Sequence, residues 1–247
     1  MYFGDDPVKS RSVFLASSVH VLTSLGILCS LFAALNVFDK NLGFAFVWLG
    51  IALFIDAIDG TLARKTQVSK LLPNINGLMM DSIIDFINYI FIPCLILVHA
   101  DFLLPDFEIA LPATILIISI FSYSRMSVTS EDFKYVGFPV AWNIIVLYLF
   151  ILETSQMINT IVICIFIGLR FVPLKYVHPF RTKHMRKQTL LITSFWFTSM
   201  AVLCLNKAVT INPILIQPAH AVLAITTLYF IGITLLSGRT LISGKAS

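Results

Sequence analysis

Apolar residues run through this chain in long unbroken blocks, not in the alternation of half-buried strands or the narrow stripes of surface helices. A helix needs about twenty apolar residues to cross a hydrocarbon core about 30 Å thick. Eight stretches qualify, at 13–37, 41–64, 77–100, 108–125, 137–154, 157–174, 189–206 and 213–237. The pattern predicts an all-α, polytopic membrane bundle of eight transmembrane helices. No repeat, low-complexity stretch or linker marks a second domain, so residues 1–247 are expected to form one. The opening "MYFGDDPVKSRS" is polar, and the apolar run behind it is long enough to span, which predicts a first membrane helix and not a cleavable signal.

The polar positions then orient the bundle. All of the 17 lysines and arginines except Lys40 and Lys207 fall at one set of alternating helix ends, and the opposite loops "ADFLLPDFE" and "ETSQMIN" carry none. The positive-inside rule places both termini and the loops after helices two, four and six in the cytoplasm. Composition agrees: 58% of residues are hydrophobic and only 12% charged, with a mean hydropathy of +0.91. The net charge of +4 follows from the loop bias and calls for no nucleic-acid partner. Cys29, Cys94, Cys164 and Cys204 stand singly in apolar runs, without metal-site or disulfide spacing, and are expected to pack in the core or face lipid.

Against this background the stretch "DAIDGTLARKTQVSKLLPNINGLMMDSIID", residues 56 to 85, is exceptional. At 1.5 Å rise per residue, Asp59 and Asp56 lie roughly 7 and 12 Å inward of the end of helix two at Arg64. Asp81 and Asp85 lie roughly 6 and 12 Å inward of the start of helix three at Gly77. The i, i+3 and i, i+4 spacings put each pair on one helix face. Two adjacent helices therefore present four carboxylates at matching depths.

An isolated intramembrane aspartate can serve as a structural partner for an arginine or as an interhelical hydrogen bond. Four together are different, because each uncompensated one costs about 2.5–3.5 kcal/mol near a helix centre, so the patch approaches roughly 10 kcal/mol. Arg64 and Lys65 cannot neutralise them all. One or two divalent cations would turn the repulsion into binding energy, and an all-carboxylate site suits Mg²⁺ or Mn²⁺. Gly60, Ala63 and Gly77 beside the acids would let a planar ligand approach the backbone, with helix packing as the alternative.

The order Asp56, two residues, Asp59, Gly60, two residues, Ala63, Arg64, a spacer, Gly77, three residues, Asp81, three residues, Asp85 resembles the signature of the CDP-alcohol phosphatidyltransferases. The spacer from Lys65 to Asn76 is longer than the family's usual one and resembles that of the bacterial phosphatidylcholine synthases. "VHVLTSLG" in helix one, "GFPVAWN" at the start of helix five and "VHPFRTKHMRK" after helix six are similar to the same subfamily. The resemblance implies transfer of a phosphatidyl group from CDP-diacylglycerol to choline, releasing CMP, at the cytoplasmic face of a bacterial inner membrane. It also implies a possible homodimer. By motif position, Asp56, Asp59 and Asp81 would be metal ligands. Asp85 would be the general base and could touch a second metal. Gly60, Thr61, Ala63 and Gly77 would line the cytidine pocket, with Arg64 on phosphate or nucleotide.

Choline recognition calls for aromatic faces around a quaternary ammonium. Tyr123, Phe133, Tyr135 and Trp142 cluster near the cytoplasmic ends of helices four and five and are the candidates, although an interfacial aromatic belt would look the same. Arg125, Arg181 and Lys183 could hold phosphate, or act only as topogenic charge. His20 shares helix one with Thr23 and could be structural. Asn143 could orient a substrate or bridge helices. Another acceptor alcohol, such as serine, inositol phosphate or glycerol phosphate, remains open. A cation transporter is the alternative of another class, but no acidic relay leads from the four aspartates to the other face.

Overall fold

A computed structural model describes residues 7–124, 135–136, 141–171, 175–176, 186–209 and 212–243. In chain order these form α1 (Pro7–Phe38), α2 (Leu42–Thr66), α3 (Val68–Leu71), α4 (Gly77–Phe86), a π-helical turn (Ile87–Phe91), α5 (Ile92–His99), a 3-10 turn (Pro105–Phe107) and α6 (Ala110–Ser124). Then come β1 (Tyr135–Val136), α7 (Trp142–Leu152), α8 (Gln156–Leu169), β2 (Lys175–Tyr176), α9 (Arg186–Ala208), a second 3-10 turn (Pro213–Leu215) and α10 (Ile216–Ser243).

The class is helical, as the hydrophobic blocks predict, and the chain is a multi-pass membrane protein. Among the described residues six helical stretches are long and apolar enough to cross a membrane: Ser12–Phe38, Leu42–Thr66, Gly77–His99, Pro105–Ser124, Lys187–Ala208 and Pro213–Ile233. The fifth and sixth expected spans are shorter helices, α7 of 11 residues and α8 of 14. At 1.5 Å per residue, α7 reaches only roughly 16 Å, about half the hydrocarbon core. The hydrophobic pattern also missed a short antiparallel pair, in which Tyr135 faces Tyr176 and Val136 faces Lys175, joining the chain before α7 to the chain after α8.

α1 and α2 form an antiparallel hairpin that turns at Lys40, whose φ is 56°. α2 ends at Gln67, in the left-handed conformation, with its N–H donated to the carbonyls of Ala63 and Arg64. The long spacer that follows is partly folded: α3 buries Val68 against Ala16 and Val19 of α1. α4 then starts on a side-chain cap, the Asn76 carboxamide oxygen accepting the Met79 N–H at 3.0 Å. These two features set the depth at which α4 re-enters the bundle beside α2.

The main core joins Phe46 and Leu49 of α2, Ile96 and Leu97 of α5, Trp142 and Val146 of α7, and Met200 and Leu203 of α9. Several polar groups beside it are paired across helices. Trp196 Nε1 donates to the Tyr148 hydroxyl at 2.8 Å, and that hydroxyl in turn meets Thr227 Oγ1, linking α9, α7 and α10. Cys29, Cys94 and Cys204 are buried and Cys164 is exposed, all as free thiols. Lys207, one of the two cations outside the basic end, forms an ion pair with Glu153 in the turn between α7 and α8. The ammonium and its hydrogen bond hold the Glu153 carboxyl below the usual range.

α2 meets α9 at Gly43, where an added Cβ would lie 2.6 Å from the Ala208 nitrogen and 2.9 Å from its Cβ. At Gly50 of the same helix an added Cβ would meet nothing within 4 Å among the described residues. Gly43→Ala should therefore cost about 1–3 kcal/mol by overpacking, whereas Gly50→Ala should be neutral or gain up to about 1 kcal/mol. Thermal unfolding of the two variants in one detergent checks this, and equal melting temperatures would contradict the close packing of α2 on α9.

Candidate active site

Asp56 and Asp59 descend on α2 while Asp81 and Asp85 rise on α4, and the antiparallel packing brings the pairs together. Asp56, Asp81 and Asp85 can each place one carboxylate oxygen so that all three lie within 4.8 Å of one another. Asp59, only 4% exposed, lines the same small cavity, with Thr23 and Gly26 of α1, Ala52 and Ile55 of α2, and Ile84, Asn88 and Tyr89. The cavity is about 10 Å³, room for roughly one water-sized sphere.

That donor set suits a divalent cation. The converging atoms are all carboxylate oxygens, the kind that hard divalent ions take. Three carboxylates this close, in a membrane segment, would repel one another without a cation. Asp56, Asp81 and Asp85 are therefore the residues that could hold a metal.

The walls are braced from two sides. Asn88 donates to the Gly26 carbonyl at 3.3 Å and accepts from Ser30 Oγ at 2.9 Å, fastening the π-helical turn to α1. Tyr89, the next residue, donates its hydroxyl proton to Asp56 Oδ2 at 2.6 Å, fastening the same turn to α2. Sequence reasoning missed both. The signal was present for Tyr89, which stands one helical turn beyond Asp85 and two beyond Asp81.

Residues 18–238 match the family model for CDP-alcohol phosphatidyltransferases. The chain belongs to that family. Phosphatidylcholine synthase of Pseudomonas aeruginosa is 33% identical over 220 residues, covering 89% of this chain and 90% of that protein. Phosphatidylcholine synthase of Borreliella burgdorferi is 35% identical over 186 residues, 75% of this chain and 80% of that protein. The protein of the same name from Legionella pneumophila is 34% identical over 186 residues, 75% of this chain and 73% of that protein.

The other positions of the phosphatidyltransferase motif fall into two groups. Gly60, Thr61 and Arg64 lie past Asp59 toward the end of α2. Among the described residues an added Cβ at Gly60 would meet only Arg64 Nη1, at 3.6 Å, and Arg64 Nη2 donates to Thr61 Oγ1 at 3.3 Å. Ala63 and Gly77 have packing neighbours. Ala63 lies against the small cluster of Ala16, Val19 and Val68, and a Cβ at Gly77 would come within 2.8 Å of His20 Cε1. The Nε2 of His20 is itself buried without a hydrogen-bond partner among the described residues.

Of the aromatic candidates, Tyr123 packs edge-on against Phe86, the neighbour of Asp85, with ring centroids 5.7 Å apart. Trp142 is 1% exposed and belongs to the core, so it has no open face. Phe133, Arg125, Arg181 and Lys183 lie outside the described residues, as does the side chain of Tyr135. Asn143 is 6% exposed, and its Oδ1 is buried without a partner among the described residues.

The contact between Gly77 and His20 gives a direct test of the local packing. Gly77→Ala should lower the melting temperature, and His20→Ala should remove most of that penalty when the two are combined, because the contact vanishes. Additive effects in the double variant would show that Gly77 is not constrained by the imidazole.

Proposed function

We propose that this chain is a phosphatidylcholine synthase: it moves the phosphatidyl group of CDP-diacylglycerol to the hydroxyl of choline and releases CMP. The observation that carries the reading is the convergence of Asp56, Asp81 and Asp85 from two helices within 4.8 Å, on the motif of a phosphatidyltransferase. The names of the relatives supply the acceptor. Mn²⁺ or Mg²⁺ is the proposed ion, held by Asp56, Asp81 and Asp85, with Asp59 beside them. When bound, a divalent ion draws charge from phosphoryl oxygens and stabilises a departing phosphate.

The residues divide the remaining work. Asp85 takes the proton from the choline hydroxyl as its oxygen forms a bond to the phosphatidyl phosphorus, and the bond from that phosphorus to the bridging oxygen of CMP breaks. Gly60, beside which the described residues place no atom but Arg64 Nη1 near an added Cβ, leaves space for the nucleotide, and Thr61 extends its pocket. Arg64 holds phosphate through a guanidinium suited to oxyanions, joined by Arg125, Arg181 and Lys183. The acidic site favours a cationic alcohol. Tyr123 offers it an aromatic face, an assignment supported by its contact with Phe86 beside Asp85; Phe133 and Tyr135 are proposed with it, and Trp142, buried in the core, is not.

The protein is proposed to lie in a bacterial inner membrane as one domain over 1–247, as a homodimer, with both termini and the active site cytoplasmic. CDP-diacylglycerol keeps its acyl chains in lipid and its cytidine in water, so its reacting phosphate belongs just inside that interface, at the depth of the aspartates.

Purified protein in detergent with CDP-diacylglycerol and Mn²⁺ should release CMP with choline and not with serine, glycerol 3-phosphate or inositol. Asp85→Asn should lower that rate at least about 10²-fold, the scale of a lost general base. Turnover with another alcohol would refute the acceptor, and no turnover with any would refute the enzyme reading. Tyr123→Ala should raise the apparent KM for choline roughly two- to thirty-fold, the range of one cation–π contact; an unchanged KM would remove Tyr123 from the site.

A further inference from the structure

We propose that Tyr89 is a positioning residue that presents the Asp56 carboxylate to the divalent ion. The inference rests on the reading of the acidic cluster as a metal centre, and it starts from the hydrogen bond between α2 and the π-helical turn. At 2.6 Å that bond has the length of a hydroxyl donating to a charged carboxylate. A carboxylate has two oxygens that can accept. With Oδ2 engaged by the phenol, the rotation of the group is fixed, and Oδ1 together with the remaining lone pair of Oδ2 is left for a cation.

Without such a donor, Asp56 would have reason to turn away. Asp81 and Asp85 approach it within 4.8 Å, and like charges at that separation repel. The Asp56 side chain is tied to the opposite helix by this bond. Tyr89 thus opposes, in the metal-free protein, the repulsion that a bound cation would remove.

The backbone makes Tyr89 a firm anchor. Pro93 has no N–H to give to the carbonyl four residues back, and its ring would crowd that carbonyl. The helix accommodates this by widening, with the Ile92 N–H bonded to the Ile87 carbonyl five residues back. Within the widened turn, consecutive residues reach in two directions, Asn88 to Gly26 and Ser30 of α1 and Tyr89 to Asp56 of α2. Tyr89 also lines the cavity itself. Donors that orient a metal ligand in this way are commonly worth 10- to 100-fold in metal affinity.

The test is Mn²⁺ binding to purified full-length protein without nucleotide or choline, followed by the electron paramagnetic resonance signal of free Mn²⁺. Tyr89→Phe keeps the ring and removes only the hydroxyl. It should raise the Kd for Mn²⁺ about 10- to 100-fold, while CMP release at saturating Mn²⁺ returns to near the wild-type rate with the choline KM unchanged. Asn88→Ala is the control for a merely structural effect, since it loosens the same turn from α1 without touching Asp56. It should lower the melting temperature and shift the Mn²⁺ Kd much less. A Tyr89→Phe Kd within twofold of wild type overturns the proposal while leaving the metal centre intact. An Asn88→Ala shift as large as that of Tyr89→Phe overturns it too, by assigning the effect to packing of the turn. If the wild-type protein takes up no Mn²⁺, both the metal centre and the role of Tyr89 fall.

Discussion

Carboxylates of like charge held together inside a membrane are the constraint on which the rest of this structure turns. Each uncompensated aspartate costs about 2.5–3.5 kcal/mol at a helix centre, and Asp56, Asp81 and Asp85 stand within 4.8 Å of one another with Asp59 against the same cavity. Hydrophobic burial gives no reason to assemble them. A hard cation does, and the same cation is what phosphoryl chemistry at a lipid interface requires. The electrostatic problem and the catalytic requirement therefore have one solution.

The fold meets this constraint through local devices at the ends of α2 and α4. Gln67 closes α2 in a left-handed turn, α3 pins the following segment to α1 through Val68, and the Asn76 cap fixes where α4 begins. Together they match the depths of the two aspartate pairs. Further along, the π-helical turn secures the far side of the site to α1 and α2 at once. The remaining helices bury Trp142, Ile96 and Met200 in a core that backs the site. Their outward residues, such as Ile117 and Ile225, are exposed toward the place lipid would occupy.

Much of this was legible in the sequence because its cause is local. Long apolar blocks fix α1 and α2, and aspartate spacing at three and four residues fixes a shared helix face whatever the tertiary packing. What stayed hidden depends on contacts distant in sequence or on short elements. Gly77 looked like space for a ligand, yet His20, from a helix more than fifty residues earlier, sits against it. The role of Tyr89 depends on α2 placing Asp56 opposite it. Trp142 was a candidate for the choline site and is buried in the core. α7 and α8 have apolar composition enough for spans but short helices, and hydropathy does not measure where a helix stops. The strand pair of β1 and β2 is two residues long on each side, below what any periodicity can register.

The central claim is that a divalent cation relieves repulsion among these carboxylates, and thermal unfolding with and without Mn²⁺ tests it most directly, on wild-type protein and on Asp81→Asn. The account predicts that wild type melts higher as Mn²⁺ is added, by an amount equivalent to about 2.7 kcal/mol at a hundredfold excess over Kd. Asp81→Asn should melt higher than wild type in the absence of metal, because one like charge is gone, and should respond little to Mn²⁺. A wild-type melting temperature indifferent to Mn²⁺, with metal-free Asp81→Asn less stable than wild type, would contradict it.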